Sequence, residues 1–308
     1  MTPEKIGNIE LDYEFYPGED LYSDGPVEDE MLEVAQNFRE EEFNQIIAQR
    51  KSWPLLYHFS HIRQNIVSWY PLKGKVLEIG AGCGAITGAL ADQADQLVCV
   101  DLSRKRSLIN AWRNRDRNNI RIHVGNFQDI EKTLDTDYDY ITLIGVFEYS
   151  EGYIGTGRPY VEMLRRIASH LAPGGEILIA IENRLGLKYW AGCTEDHVGK
   201  FFEGLEGYPT TEGVKTFSRK ELESVIAQAG DFQTAFYYPY PDYKFPMTVY
   251  SDDYLPRRGE LKQNVNNFDR VKLQLFDEAK VFDTIVENGL FHQFSNSFFV
   301  VLKKEAEG

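Results

Sequence analysis

The segment Lys75 to Leu90, KVLEIGAGCGAITGAL, constrains the fold more than any other stretch, because it writes a strand, an acid, spaced glycines and a helix start in immediate succession. Val76, Leu77 and Ile79 give the apolar, β-branched run of a strand covered on both faces. Gly80, Gly82 and Gly84 let the backbone turn tightly beneath a ligand, and Ala85 to Leu90 opens a helix whose free N–H groups face it. Such a turn is a nucleotide site. Taken alone, the pattern GxGxxA at Gly80, Gly82 and Ala85, with Asp101 about 20 residues on, also fits a dinucleotide-binding unit, so the glycines by themselves leave the ligand open.

Glu78 narrows the choice. It stands two residues before the first glycine and projects a carboxylate that suits the cationic ammonium and sulfonium of S-adenosylmethionine (SAM) and repels a pyrophosphate. Here the chain resembles the class I methyltransferases. The likeness continues at GNFQDI (Gly125 to Ile130), YDYITLIGVFEYS (Tyr138 to Ser150) and LAPGGEILIAIEN (Leu171 to Asn183), in the family's order. It implies SAM as cofactor and a Rossmann-like, seven-stranded α/β sheet with helices on both faces. The cofactor residues it implies are Glu78 at the methionine end, Gly80, Ala81, Gly82 and Gly84 in the loop, and Asp101 with Leu102 at the ribose. Asn126, Phe127 and Gln128 would lie against the adenine, and Gly145 at the entrance after the fourth strand.

The 308 residues can bury one large core with appendages. No apolar run approaches the ~20 residues of a membrane span, and MTPEKIGNIELDYEF lacks the regions of a signal peptide, so a cytoplasmic protein without membrane insertion is expected. The net charge of −15 argues against nucleic acid as partner. The one basic cluster, Ser103 to Asn119, reads as a solvated helix face. Cys83, Cys99 and Cys193 form no disulfide framework.

Strand and helix signals alternate from Gly74 to Ile181, with strands expected near 75–80, 96–101, 120–124, 138–144 and 175–182, and helices near 84–92, 103–115 and 158–171. A capping box at Ser218 and Glu221 opens a further helix ending at Gly230, followed by strands at DFQTAFYYPY and NSFFVVLKK; the family places the last of these antiparallel between its neighbours. The expected organisation is an N-terminal helical extension, residues 1–73, over the cofactor site, and a SAM-binding domain, residues 74–304, with acceptor or lid insertions at 183–217 and 241–293. The extension carries helices expected from Val27 to Arg50 and Pro54 to Trp69, and the second insertion one from about Asn267 to Asn288.

WPLLYHFSHIRQNIVSWYP, ENRLGLKYWAGCTEDHVGKFFEGLEGYP and FYYPYPDYKFP further resemble bacterial methyltransferases found beside or fused to glycosyltransferases of cell-surface polysaccharides. That likeness implies a saccharide or saccharide-bearing acceptor, with glycosyltransferases as partners. Two other readings stay open: O- or N-methylation of another small metabolite, and a non-catalytic SAM-binding subunit of a glycan assembly.

Methyl transfer needs alignment first, and a base only for an unactivated hydroxyl. His197 in CTEDHVGKFF is the base expected by position, with Glu195 or Asp196 fixing its tautomer. Glu148 stands where many class I methyltransferases carry a Glu followed by His; here Tyr149 replaces that His. Glu182 and Asn183 could receive acceptor hydroxyls. Arg184 and Lys188 could bind an anionic substituent, against a plainer reading as surface ion pairs. Tyr57, His61 and Gln64 are expected on one helix face, with Arg63 beside them reaching the methionine carboxylate. No cluster has zinc-ligand spacing, and His123, His170 and His292 stand alone, so no required metal is expected.

Overall fold

The structure is a computed structural model that describes residues 3–20, 22–155, 157–264, 270 and 272–304. The chain divides into two compact units, one of Met1–Leu143 with Ser169–Ile177, the other of Ile144–Ala168 with Leu178–Glu305.

The first unit is built on strands β1 (Glu4–Ile6), β2 (Ile9–Asp12), β3 (Lys75–Ile79), β4 (Gln96–Asp101), β5 (Ile120–Val124) and β6 (Tyr138–Ile144), side by side in the order β1-β2-β5-β4-β3-β6. From β2 to β6 every pairing is parallel, with Glu78 beside Cys99 on one side and Thr142 on the other. Val76, Leu77, Cys99, Ile122 and Ile141 are buried, as a sheet covered on both faces requires. Helices Thr87–Ala91 and Arg104–Arg113 follow β3 and β4. The first is shorter than expected because Gly84 takes a left-handed φ of +75° and the chain becomes helical only after Ile86.

Several expectations for residues 1–73 are corrected. The segment is not wholly helical: β1 and β2 form an antiparallel hairpin whose second strand pairs with β5. The helix expected from Val27 to Arg50 is two, Val27–Asn37 and Phe43–Arg50, because the Glu42 carboxylate accepts the Arg39 N–H and starts a new turn. The helix expected from Pro54 to Trp69 breaks at extended Ser60, whose Oγ accepts the Ile62 N–H, so Tyr57 does not share a helix face with His61 and Gln64. The basic helix is not a solvated face either. Arg113 is buried and donates to the His58 and Cys83 carbonyls, while Arg115 donates to the Ala35 carbonyl. These bonds tie the N-terminal helices to the β4–β5 connection.

Strand β7 (Leu171–Glu182) starts in the first unit and ends in the second. It begins earlier than expected, taking in the Pro-Gly-Gly segment. In the second unit β10 (Ser297–Lys304) lies between β7 and β8 (Phe232–Tyr240), and β9 (Thr248–Ser251) follows β8. β10 runs antiparallel to β8, with Phe299 opposite Tyr237, which is the expected placement of the last strand. The capping box is formed: Ser218 accepts the Glu221 N–H, and Glu221 accepts from Ser218. The late helix is Glu278–Glu287, started by Asp277; the earlier part of the expected span includes residues 267–269 and 271, outside those described.

Candidate functional site

In the first unit the turn after β3 brings together the residues expected to bind the cofactor. Gly80, Gly82 and Gly84 have φ of +73°, +51° and +75°, and a Cβ on Gly84 would meet Asn110 Oδ1 at 2.4 Å. Glu78 is buried. Its Oε2 accepts from Thr87 Oγ1 at 2.7 Å and Cys99 Sγ at 3.3 Å, and Asn110 Nδ2 donates to Thr87 Oγ1 at 3.0 Å. Burial, with some help from Asp101, outweighs these bonds and pushes the Glu78 carboxyl up to about 7. Asp101 accepts the Gly82 N–H at 2.7 Å and the Ser103 N–H at 2.9 Å, which holds the end of β4 against the glycine turn, with half-buried Leu102 beside it. The Gly80 and Ala81 N–H groups both donate to the Val100 carbonyl.

The Gly125 N–H bonds the Asp101 carbonyl, which sets Asn126, Phe127 and Gln128 beside β4. Asn126 Oδ1 caps the short helix there, Phe127 is buried and Gln128 half-buried. Arg63 is buried with its guanidinium 4.5 Å from the Tyr57 ring. Gly145, the last of the expected cofactor set, belongs to the second unit, where a Cβ would meet the Tyr243 hydroxyl at 2.8 Å. Sequence reasoning missed Thr87 and Asn110, since nothing local marks a helix polar group that bonds a strand acid or its partner.

The second unit holds the residues expected to act on an acceptor. Glu148 follows β6, Glu182 ends β7, and His197 lies in the insertion after β7; the two acids are buried and the His197 side chain is 9% exposed. His197 Nδ1 pairs with Glu195 Oε1 at 2.9 Å, so of the two acids expected to fix the ring it is Glu195 that does. Glu195 is itself anchored by the His197 and Val198 N–H groups at 2.7 and 2.8 Å and by the Tyr208 hydroxyl at 3.1 Å. His197 Nε2 faces Glu148 Oε1 at 3.4 Å and Glu182 Oε2 at 3.8 Å, and Tyr149 packs edge-on to its ring. Burial opposes the charged ring, yet Glu182, Glu148 and Glu195 around it outweigh burial and push His197 well above its usual range. Burial likewise raises the Glu148 carboxyl.

Asp196 takes a different partner. Lys188 Nζ lies 2.7 Å from Asp196 and 2.6 Å from Asp242, and Lys244 Nζ lies 2.6 Å from Glu182 and 2.7 Å from Asp196. Lys188 is thus an ion pair as the plainer reading had it, though fully buried instead of superficial, while Arg184 pairs with Glu221. Lys244 had no signal in the sequence. Asn183 Nδ2 donates to the Gln293 and Ser295 carbonyls, a structural bond to the segment before β10. Glu148 Oε2 and Glu182 Oε2 are buried and receive no hydrogen bond among the described residues. The spacing argument against a metal saw no cluster; the fold gathers Glu148, Glu182 and His197 from distant positions, with ligand-type atoms all within 4.8 Å of one another. No helix among the described residues is long and apolar enough to cross a membrane.

Comparison with known proteins agrees with the glycine turn. Residues 77–177 match the model of a family described as a methyltransferase domain. A curated relative, the cypemycin N-terminal methyltransferase of a Streptomyces species, is 33% identical over 116 residues, 36% of this chain and 44% of the relative, so the chain spans less than half of that protein. Among solved structures, a chain of the complex between the Haloferax volcanii Trm112 methyltransferase activator and a putative methyltransferase overlaps 88% of this chain and 99% of its own at 17% identity and a TM-score of 0.49. The N-methyltransferase NodS of Bradyrhizobium japonicum, solved with S-adenosyl-L-homocysteine, overlaps 79% of this chain and 85% of its own at 12% identity and 0.44. The matched segment and the strand order within each unit make this a Rossmann-like α/β chain in which residues 77–177 carry a methyltransferase domain.

Proposed function

We propose that the whole protein is a SAM-dependent methyltransferase that methylates a hydroxyl of a saccharide or saccharide-bearing acceptor. The observation that carries the reading is the pair of buried carboxylate oxygens, Glu148 Oε2 and Glu182 Oε2, that receive no hydrogen bond among the described residues. A buried acceptor atom without a donor costs about 1–3 kcal/mol, and hydroxyl groups of a bound polyol remove that cost. Trp190, Phe201 and Phe202, exposed in the same insertion as His197, offer apolar faces on which a sugar ring can stack.

In this reading Glu78, the glycine turn, Asp101, Asn126 to Gln128 and Arg63 of the first unit hold SAM. Glu148 accepts the proton of the acceptor hydroxyl, since burial has raised its affinity for one. His197, held at Nδ1 by Glu195, stands 3.4 Å from Glu148 Oε1 and keeps that carboxylate in place. Methyl transfer from labelled SAM to a panel of saccharides and sugar-linked intermediates tests the proposal, with transfer to hydroxyl oxygen as the expected result. A second reading, N-methylation of an amine, is supported by the name of the curated relative and by the excess of carboxylates, Glu148, Glu182, Glu195, Asp196 and Asp242, over the cations Lys188, Lys244 and His197. Amines in the same panel decide between the two.

A further inference from the structure

We propose that Glu148, Glu182 and His197 of the second unit form a binding site for one divalent cation of the Mn²⁺ or Mg²⁺ class. The geometry is that of three ligands on one side of an ion. Nε2 of His197 lies 3.4 Å from Glu148 Oε1 and 3.8 Å from Glu182 Oε2, and all three ligand atoms fall within 4.8 Å of one another. Ligand atoms held at about 2.1 Å from one ion stand roughly 3 to 3.6 Å apart, so a small inward movement of side chains closes the set.

Two further observations point to a ligand. His197 Nδ1 is taken by Glu195, and Glu195 cannot turn away because two backbone N–H groups and the Tyr208 hydroxyl hold it. A carboxylate on the far ring nitrogen is the usual outer partner of a metal-ligating histidine, since it fixes the tautomer that presents Nε2. Glu148 is only 1% exposed, and its Oε2 accepts no hydrogen bond from any described residue, so the acid has coordinating capacity that the protein leaves unused. Lys244 does not fill the site: its Nζ bridges Glu182 Oε1 and Asp196 Oδ1, and Glu182 Oε2 is the oxygen nearer His197.

Two carboxylates and one imidazole favour a cation that prefers oxygen ligands and keeps waters, and protein supplies only three positions. The remaining positions would take neighbouring hydroxyls of a polyol. That use of the ion rests on the acceptor reading above; the cation site itself does not.

The test uses the full chain stripped of metal with a chelator and titrated with MnCl₂, in the absence of SAM and acceptor, following the free aquo-ion by electron paramagnetic resonance. One equivalent of Mn²⁺ should bind, Mg²⁺ should displace it, and spin-echo modulation from a coordinated imidazole nitrogen should appear. Glu182→Gln and His197→Ala should each weaken binding at least tenfold, and Glu195→Gln by 10- to 100-fold through its outer-partner role. Absence of binding at millimolar Mn²⁺, or bound Mn²⁺ without the nitrogen signal, overturns the proposal even if the variants do not fold. Equal affinity in folded variants also overturns it. Mn²⁺ bound as described, with no methyl transfer to any saccharide, leaves the cation site standing and removes the acceptor reading.

Discussion

Glu78→Gln separates the chemistry of the glycine turn from its packing. Burial holds the Glu78 carboxyl at about 7 in the folded protein, against 4.5 for the ordinary carboxyl. The folded state therefore binds this proton more tightly than the unfolded state. The stability that Glu78 contributes is complete below pH 4.5, declines as pH rises and is lost above about 7, a loss of about 3 kcal/mol. Glutamine keeps an oxygen for the Thr87 hydroxyl and cannot ionise. Urea unfolding of both proteins at half-unit steps from pH 4 to 8 should give a stability difference that moves by about 3 kcal/mol in favour of the glutamine variant across this window. Other titrating groups cancel in the difference. In the proposed site the SAM cation meets an ionised Glu78, so SAM binding to the wild type at pH 6 should release a proton, seen by calorimetry in buffers of different ionisation enthalpy, and the variant should release none. A stability difference that does not change with pH would refute the reasoning, because burial would then not govern this carboxyl.

In the proposed SAM site Asp101→Ala removes a charge-assisted contact, and it should weaken SAM binding by about 1.5–3 kcal/mol, roughly 10- to 150-fold, measured by calorimetry. Glu148→Gln should slow single-turnover methyl transfer by about 10²- to 10⁴-fold with SAM affinity unchanged; a rate above a tenth of the wild type would move the proton to another acceptor. Lys188→Met leaves buried Asp242 and one side of Asp196 without their cation and should destabilise the fold by about 3 kcal/mol or more, read as a lowered urea midpoint. Gly84→Ala puts a Cβ at φ +75° and 2.4 Å from Asn110 Oδ1, and should cost at least about 1 kcal/mol in the same assay.

The strand and turn from Lys75 to Gly84 were legible because every instruction for them is local. A short apolar run makes β3, positive-φ glycines make the turn, and an acid placed in the strand arrives beside that turn whatever else the chain does. The same holds for the Ser218–Glu221 capping box and for β8 and β10, whose residues carry strand propensity and burial pattern in themselves. The helices of residues 27–69 were read as longer than they are, since their periodicity continues through Arg39 and Ser60 while two side-chain hydrogen bonds to backbone N–H groups end it.

The hairpin of β1 and β2 was not legible, because its two short strands, EKI and IELD, are half charged and pair only once β5 supplies an edge. The same is true of the buried charges in the second unit. Lys244 and Asp242 look like ordinary loop residues in PDYKFP, and Lys188 like a surface cation, yet the fold places them in one alternating chain of ion pairs with Asp196 and Glu182. Glu148, Glu182 and His197 were each visible as single polar residues near strand ends. That they meet is a tertiary fact, since charge attraction and metal affinity depend on distances of a few ångströms that sequence spacing does not set, and only the packing of the insertion after β7 brings His197 onto the two acids.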